Sequence, residues 1–285
     1  MKKIIVIWAN CQGGVINLML NRYYSSEYII YNYANYEYIK NNIELPQYFY
    51  ECDIFLYQNY SDRDDDYSLN NIINNIIKKT AIKISFPTLH RNYLQFPYDI
   101  NSPENIVTVT KEKPHGDFFY GIKPIRELVN QLKLNKIEET EIIKTVLYKI
   151  YDNNFIPVEK IIEFENITLE FLKMKILNSD IPNIYNFIID NYKKERLYHN
   201  PNHPNGKLLN ELCKEIFTKM NLNYPNEKEN IILLENSLAD WKMPIFNSVI
   251  NYYNMTNIDN NCLSCWHTDI TNFETYIIKY IKFLT

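Results

Sequence analysis

The sequence predicts an α/β fold, a three-layer sandwich around a mainly parallel sheet with a helical lobe inserted into it. Three observations carry that reading. Short apolar runs alternate with amphipathic stretches through the first third of the chain, the pattern of a sheet covered on both faces. Four consecutive stretches in the middle carry apolar residues at three- and four-residue spacing. The 285 residues, 46% hydrophobic and 15% aromatic, hold enough apolar surface to offset the chain entropy of one large domain. That domain is read as residues 1–285, with the helical lobe at 122–195.

The elements follow in order. Ile4 to Trp8 is a short apolar run that reads as a buried strand, Gly13 to Arg22 as a helix, and Tyr28 to Tyr33 as a second strand. Asp53 to Tyr57 is another buried strand, Asp62 to Asp66 a solvated acidic loop ahead of a helix over Leu69 to Lys79, and Ala81 to Ser85 a strand stopped by Pro87. Helical periodicity covers Ile125 to Leu134, Glu138 to Tyr151, Val158 to Leu177 and Ile184 to Lys194. After Asn205 a further amphipathic helix, Lys207 to Met220, follows, Ile231 to Leu234 reads as a strand, and Asn272 to Phe283 closes the chain as a helix.

Charge and composition exclude whole classes of partner. With 30 Lys+Arg against 34 Asp+Glu, a formal charge of -4 gives no basic field for nucleic acid or an anionic membrane surface. Apolar runs interrupted by Asn, Lys and Glu fall short of the roughly 18 residues of a membrane span. Met1 to Trp8 reads as a strand and not as an export signal. Five cysteines, with Cys11, Cys52 and Cys213 far apart, argue against a disulfide framework and for a reducing, cytoplasmic compartment. Cys262, Cys265 and His267 invite a zinc reading, but a structural site wants four ligands, and packed thiols are the simpler account, so no metal is assigned.

Only five glycines occur, at 13, 14, 116, 121 and 206, and they mark three candidate site loops beside Cys or His: Asn10 to Gly14, His115 to Gly121, and His203 to Gly206. Turn closure is the plainer alternative for each. The sharpest is the first. A parallel strand that delivers a cysteine into a turn opening a helix places it in the crevice at the carboxyl end of the sheet, over free amide donors. Cys11 sits at that spot. The helix end should lower its thiol pKa, and the amides of Gln12 and Gly13 are candidates to stabilise an oxyanion. A buried thiol acting as a small hydrophobe is the competing account, against which the polar neighbours Asn10 and Gln12 speak. In Asn200-Pro201-Asn202-His203-Pro204-Asn205-Gly206, His203 precedes a helix with Asn200 three residues before it. That is the makings of a general base held by an orienting carboxamide. The alternative is a loop histidine satisfied by backbone groups; His199 reads as structural.

The early strand, the nucleophile turn and the late His-Pro loop resemble the first and last blocks of SGNH/GDSL hydrolases, with Cys11 in the place of their Ser and Asn200 in the place of their Asp. More closely, the Asn10-Cys11-Gln12 turn, the Ser85-Phe86-Pro87 to Pro97 stretch, the helical middle and Asn202-His203-Pro204 resemble the WcbI-like family, from about Lys3 to Leu222. Ala9 stands where that family usually has Gly. The resemblance implies an SGNH- or flavodoxin-like sandwich, coenzyme A binding, and transfer of an acetyl group from acetyl-CoA to a sugar or sugar-nucleotide acceptor, at an amino group or a hydroxyl. The residues themselves offer partners for that cofactor: Phe86, Pro87, His90, Arg91 and Tyr93 put a cation, an imidazole and aromatic faces in one loop after a strand, suited to phosphate pairing and adenine stacking. His115 joins this set, and Lys123, Arg196 and Lys207 are further cations. A solvated surface loop is the alternative. Gln58, at the exit of its strand, should face the same crevice as Cys11.

Two mechanisms suit these groups. Cys11 takes the acetyl group and His203 deprotonates the acceptor, or His203 activates the acceptor for direct attack while Cys11 shapes the pocket. A Cys/His esterase acting on an acylated glycan is the competing enzyme class, and a glycan-binding module with an inert cysteine the competing non-enzyme class. Oligomeric state is not legible.

Overall fold

The structure is a computed structural model and describes residues 2–60, 65–90, 93–98, 118, 121–256, 258–261, 263 and 271–285. The chain divides into two compact units, and each is built on its own logic.

The first unit comprises Met1–Leu89, Phe171–Ile188 and Gly206–Ser237. Its centre is a four-stranded parallel sheet of β1 (Lys3–Ala9), β2 (Tyr28–Ala34), β3 (Ile54–Gln58) and β4 (Ile82–Phe86), in the order β2-β1-β3-β4. β1 is central because it is apolar on both faces: Ile5 to Ala9 are fully buried. Between β1 and β2 runs α1 (Cys11–Tyr24); α2 (Asn35–Asn41), α3 (Tyr48–Glu51) and α4 (Leu69–Asn71), which continues as a π-helical stretch Ile72–Ile76, fill the later crossovers. On one face Val6 and Trp8 pack with Phe49, Phe55 and Ile72. On the other α1 lies close enough that a Cβ on Gly13 would stand 2.6 Å from Asn32 Oδ1 and 2.9 Å from Ala9 Cβ. The two covered faces make the α/β sandwich that the sequence predicted.

Strand order fixes where a site can form. From β1 the chain steps to β2 on one side and then returns to β3 on the other, so the carboxyl ends of β1 and β3 flank a topological switch point.

The second unit comprises His90–Glu170, Ile189–Asn205 and Leu238–Thr285. It holds α5 (Lys123–Leu134), opened by Pro124, and α6 (Glu139–Ile150). α7 (Val158–Leu177) and α8 (Asn183–Asn191) each contribute residues to both units. The short hairpin of β5 (Tyr198–Asn200) and β6 (His203–Pro204) follows, and α9 (Gly206–Lys219) and α10 (Glu227–Leu234) belong to the first unit. α11 (Asn247–Tyr253) and α12 (Phe273–Leu284) complete the second. Ile122 N donates to Tyr280 Oη at 2.9 Å, tying the start of α5 to α12.

One expected strand is a helix. Ile231 to Leu234 lies in α10, where Leu234 is buried and Ile232 is 74% exposed. A four-residue apolar run carries no period of its own, and the helical segment 227–230 ahead of it decides its state. Among the described residues no helix is long and apolar enough to cross a membrane.

Candidate active site

At the exit of β1, Asn10 caps α1: its Oδ1 accepts from Gln12 N at 2.9 Å, and its carbonyl accepts from Gly13 N at 2.9 Å. Asn10 N donates in turn to Gln58 Oε1 at 2.8 Å. Gln58 Nε2 donates to Gln12 Oε1 at 3.1 Å, Gln12 Nε2 donates to Leu89 O at 3.1 Å, and Leu89 N donates back to Gln12 Oε1 at 3.2 Å. Gln12 and Gln58 are both fully buried, so these bonds are what makes their burial affordable. Two carboxamides thereby tie together the carboxyl ends of β1 and β3 and the loop after β4.

Cys11 stands on this platform, half-buried, with a free thiol. Burial pushes its pKa up from the ordinary value of 9.0, and the backbone amides of Cys11 and Gln12 pull it down by less. The lowered pKa expected from the helix end is therefore corrected: desolvation wins over the amides, and the resting group is a neutral thiol. The oxyanion role expected of Gln12 and Gly13 is corrected too, because both amides already donate to Asn10. Gly13 is needed for the closeness of α1 to the sheet, and Gly14 meets nothing nearer than 4.0 Å. Tyr36, at the start of α2, carries no sequence signal of a site; it is near enough for charge on Cys11 to contribute to its raised pKa, after its own burial and Glu37. Only the register of β2 beside β1 brings it there, which no local motif announces.

The second group of candidates lies in the second unit. Asn200 is fully buried in the β5–β6 hairpin, where its Oδ1 accepts from Asn202 N at 2.9 Å and His203 N at 3.1 Å, and its Nδ2 donates to Trp241 O at 2.7 Å. The expected carboxamide-to-imidazole contact is replaced by a carboxamide-to-backbone one. The ring of His203 is held instead by Leu238 O, 3.0 Å from Nδ1. A carbonyl only accepts, so Nδ1 carries the proton, and Nε2 is the basic nitrogen of that tautomer. His199 is fully buried in β5, and its carbonyl accepts from Met243 N at 2.8 Å. Gly206 marks packing, since a Cβ there would stand 2.5 Å from Glu235 N and 2.6 Å from Ile231 O of α10.

The loop after β4 is less open than its composition predicts. Phe86 is fully buried and Pro87 buried, which removes both as stacking faces for a cofactor. Tyr93 packs its ring on Phe164 at 5.4 Å and donates its amide to Thr168 Oγ1 at 3.3 Å. His90 is half-exposed; Arg91, His115, Cys262, Cys265 and His267 lie outside the described residues. Arg196 is engaged by Met243 O at 2.9 Å and Asn260 Oδ1 at 3.2 Å, and Lys123 by Glu127 at 3.8 Å. Among the described residues no group of three or more His, Cys, Asp or Glu side chains converges as a metal site.

No family model and no curated protein sequence matches the chain. Among solved structures it is similar to WcbI, a polysaccharide biosynthesis enzyme, in a structure of the native protein without a disulfide bond between coenzyme A and one of its cysteines. The TM-score is 0.69, over 100% of this chain and 90% of that one, at 17% identity. The likeness extends the α/β fold assignment over the whole chain.

Proposed function

We propose that this protein is a coenzyme A-dependent acyltransferase that moves an acetyl group from acetyl-CoA to an amino group or hydroxyl of a sugar in polysaccharide biosynthesis. The observation that supports this reading is the full-length likeness in fold to a polysaccharide biosynthesis enzyme whose solved structure is described by a coenzyme A–cysteine bond it lacks. In the first unit Cys11 opens α1 at the elbow where β1 ends. Cys11 is half-buried at a switch point, neutral, and bordered by carboxamides that are already satisfied.

Acetyl-CoA supplies an activated carbonyl. On this reading His203 Nε2 takes the proton of the acceptor O–H or N–H as that atom bonds to the carbonyl carbon. The carbon–sulfur bond then breaks, and the departing thiolate recovers a proton. The raised pKa of Cys11 favours this direct route over an acetyl-cysteine, and the engaged amides of Gln12 and Gly13 speak against an esterase oxyanion hole at the elbow.

Calorimetric titration of the full chain with coenzyme A and acetyl-CoA tests the reading. Micromolar binding is expected, and no binding at millimolar ligand overturns it in favour of an esterase or a binding module. With an acceptor in hand, His203→Ala should lower turnover by about 10²–10⁴. Cys11→Ala should retain it within about tenfold, whereas covalent transfer through Cys11 requires a far larger loss.

A further inference from the structure

A cavity of about 720 Å³ opens in the second unit between α5, α6 and the first turns of α7. That is the size of small-molecule sites generally, about 300–1,000 Å³. Among the described residues six charged side chains line it: Lys123, Lys149 and Lys160 against Glu127, Asp152 and Glu163. These six balance to zero. Lys160 pairs with Glu163 at 2.6 Å and Lys123 with Glu127 at 3.8 Å, and these four side chains are 45 to 66% exposed, so they form a wet rim.

The rest of the lining includes apolar side chains. Phe155 and Phe164 are half-buried, and each packs on another ring, Phe155 on Phe246 at 5.1 Å and Phe164 on Tyr93 at 5.4 Å. Ile156 and Tyr98 are buried in the wall. Braced rings lose little freedom when a ligand settles on them.

We infer that this cavity is a saccharide site that takes a neutral, hydroxyl-rich ligand. Each hydroxyl is one donor and a two-lone-pair acceptor, so a sugar edge needs carboxylates and ammonium groups interleaved, which is how the rim is made. A pyranose also presents an apolar C–H face, and two braced phenylalanines supply the matching surface. A nucleotide or sugar phosphate suits the cavity less: its charge would meet three carboxylates as well as three ammonium groups, with no surplus cation among the described lining residues to offset its desolvation. An apolar ligand would strip water from six charged groups. This site stands whether or not the protein transfers acetyl groups; only the bound sugar's identity as the acceptor rests on that reading.

The test is saturation-transfer NMR on the full chain with methyl β-glucoside, N-acetylglucosamine and cellobiose, run beside glucose 1-phosphate and ADP. Saturation of the ring C–H protons is expected for at least one neutral sugar, exceeding that of either anion. Phe164→Ala removes a platform ring, and Asp152→Asn removes a charge while keeping the Oδ1 that accepts from Asn154 N at 2.8 Å. Each should weaken binding about tenfold with circular dichroism unchanged. The isosteric Asp152→Asn keeps the test valid should Phe164→Ala unfold. No transfer to any neutral sugar at tens of millimolar overturns the inference, as does a preference for glucose 1-phosphate or ADP, or binding indifferent to Asp152→Asn. Failure of coenzyme A to bind in calorimetry leaves this result untouched.

Discussion

The Cys11 elbow and the Asn200–His203 hairpin solve the same problem in opposite ways. Each carries a candidate side chain at a turn, and each uses carboxamides to hold that turn. In the elbow the carboxamides of Gln12 and Gln58 bond to each other and to the main chain of Asn10 and Leu89, while Asn10 Oδ1 accepts from Gln12 N, so the platform is tied together before the cysteine is considered. In the hairpin one carboxamide shapes the main chain, and the imidazole is held by a carbonyl 35 residues further on. The elbow's carboxamides are therefore committed to stability, whereas in the hairpin the carboxamide and the imidazole are held independently.

The elbow's network gives the largest effect. Gln12→Leu keeps the volume but strands Leu89 N, Leu89 O and Gln58 Nε2 in a buried setting. At about 1–3 kcal/mol for each unsatisfied group, partly relieved by water entry, a loss of about 3–5 kcal/mol is expected. Urea denaturation measures it, and a loss under about 1 kcal/mol would mean that the strand ends do not depend on this residue.

Next comes the hairpin. Asn200→Asp keeps the oxygen that accepts from Asn202 N and His203 N but turns a carboxylate oxygen onto Trp241 O, where Nδ2 now donates at 2.7 Å. A destabilisation of about 2–3 kcal/mol is expected at pH 7, shrinking as pH falls and the carboxyl can donate again. If Asn200 acted through the imidazole as an Asp does in a triad, the same change would be tolerated and turnover would hold or rise.

The glycines sharpen the comparison at smaller cost. A methyl on Gly206 meets backbone atoms of α10 at 2.5 to 2.7 Å, which cannot swing aside. Gly13→Ala meets first the end of the Asn32 side chain. Gly206→Ala should therefore cost about 2–3 kcal/mol and Gly13→Ala about 1–2 kcal/mol, read as shifts in thermal midpoint.

How far the sequence discloses these regions follows from where their partners sit. Strand, turn and helix at Ile4 to Arg22 are legible because apolar runs and a capping Asn are local signals, and Gln58 could be placed because parallel strands put their ends together. The bonds that decide chemistry are less visible. That Gln12 N and Gly13 N are consumed by Asn10 is a matter of cap geometry that composition leaves open. That Leu238 O holds His203 depends on a main-chain carbonyl, a group every residue carries and none advertises. Phe86 and Pro87 read as a stacking face because aromatic residues after a strand look the same whether they face solvent or core. Ile231 to Leu234 reads as a strand for a related reason: a run too short to show a period is strand or helix according to its neighbours.

The thiols provide the last and smallest effect. Burial raises the pKa of Cys11 above 9.0 and pushes that of Cys52 up to about 11. In the folded chain both hold protons that the unfolded chain releases near pH 9, so their contribution to stability is intact below that pH and is lost above it, for Cys52 as pH rises towards 11. Alkylation by iodoacetamide separates the two. Cys11, half-exposed, should react in the native protein at a rate that climbs about tenfold per pH unit through 9 without levelling. Cys52, fully buried, should react only as fast as the fold opens. A Cys11 rate that levels below pH 8 would show a thiolate stabilised beyond what the amides of Cys11 and Gln12 supply. That outcome would return the covalent acetyl-cysteine route to first place and erase the distinction between a passive elbow and an active hairpin.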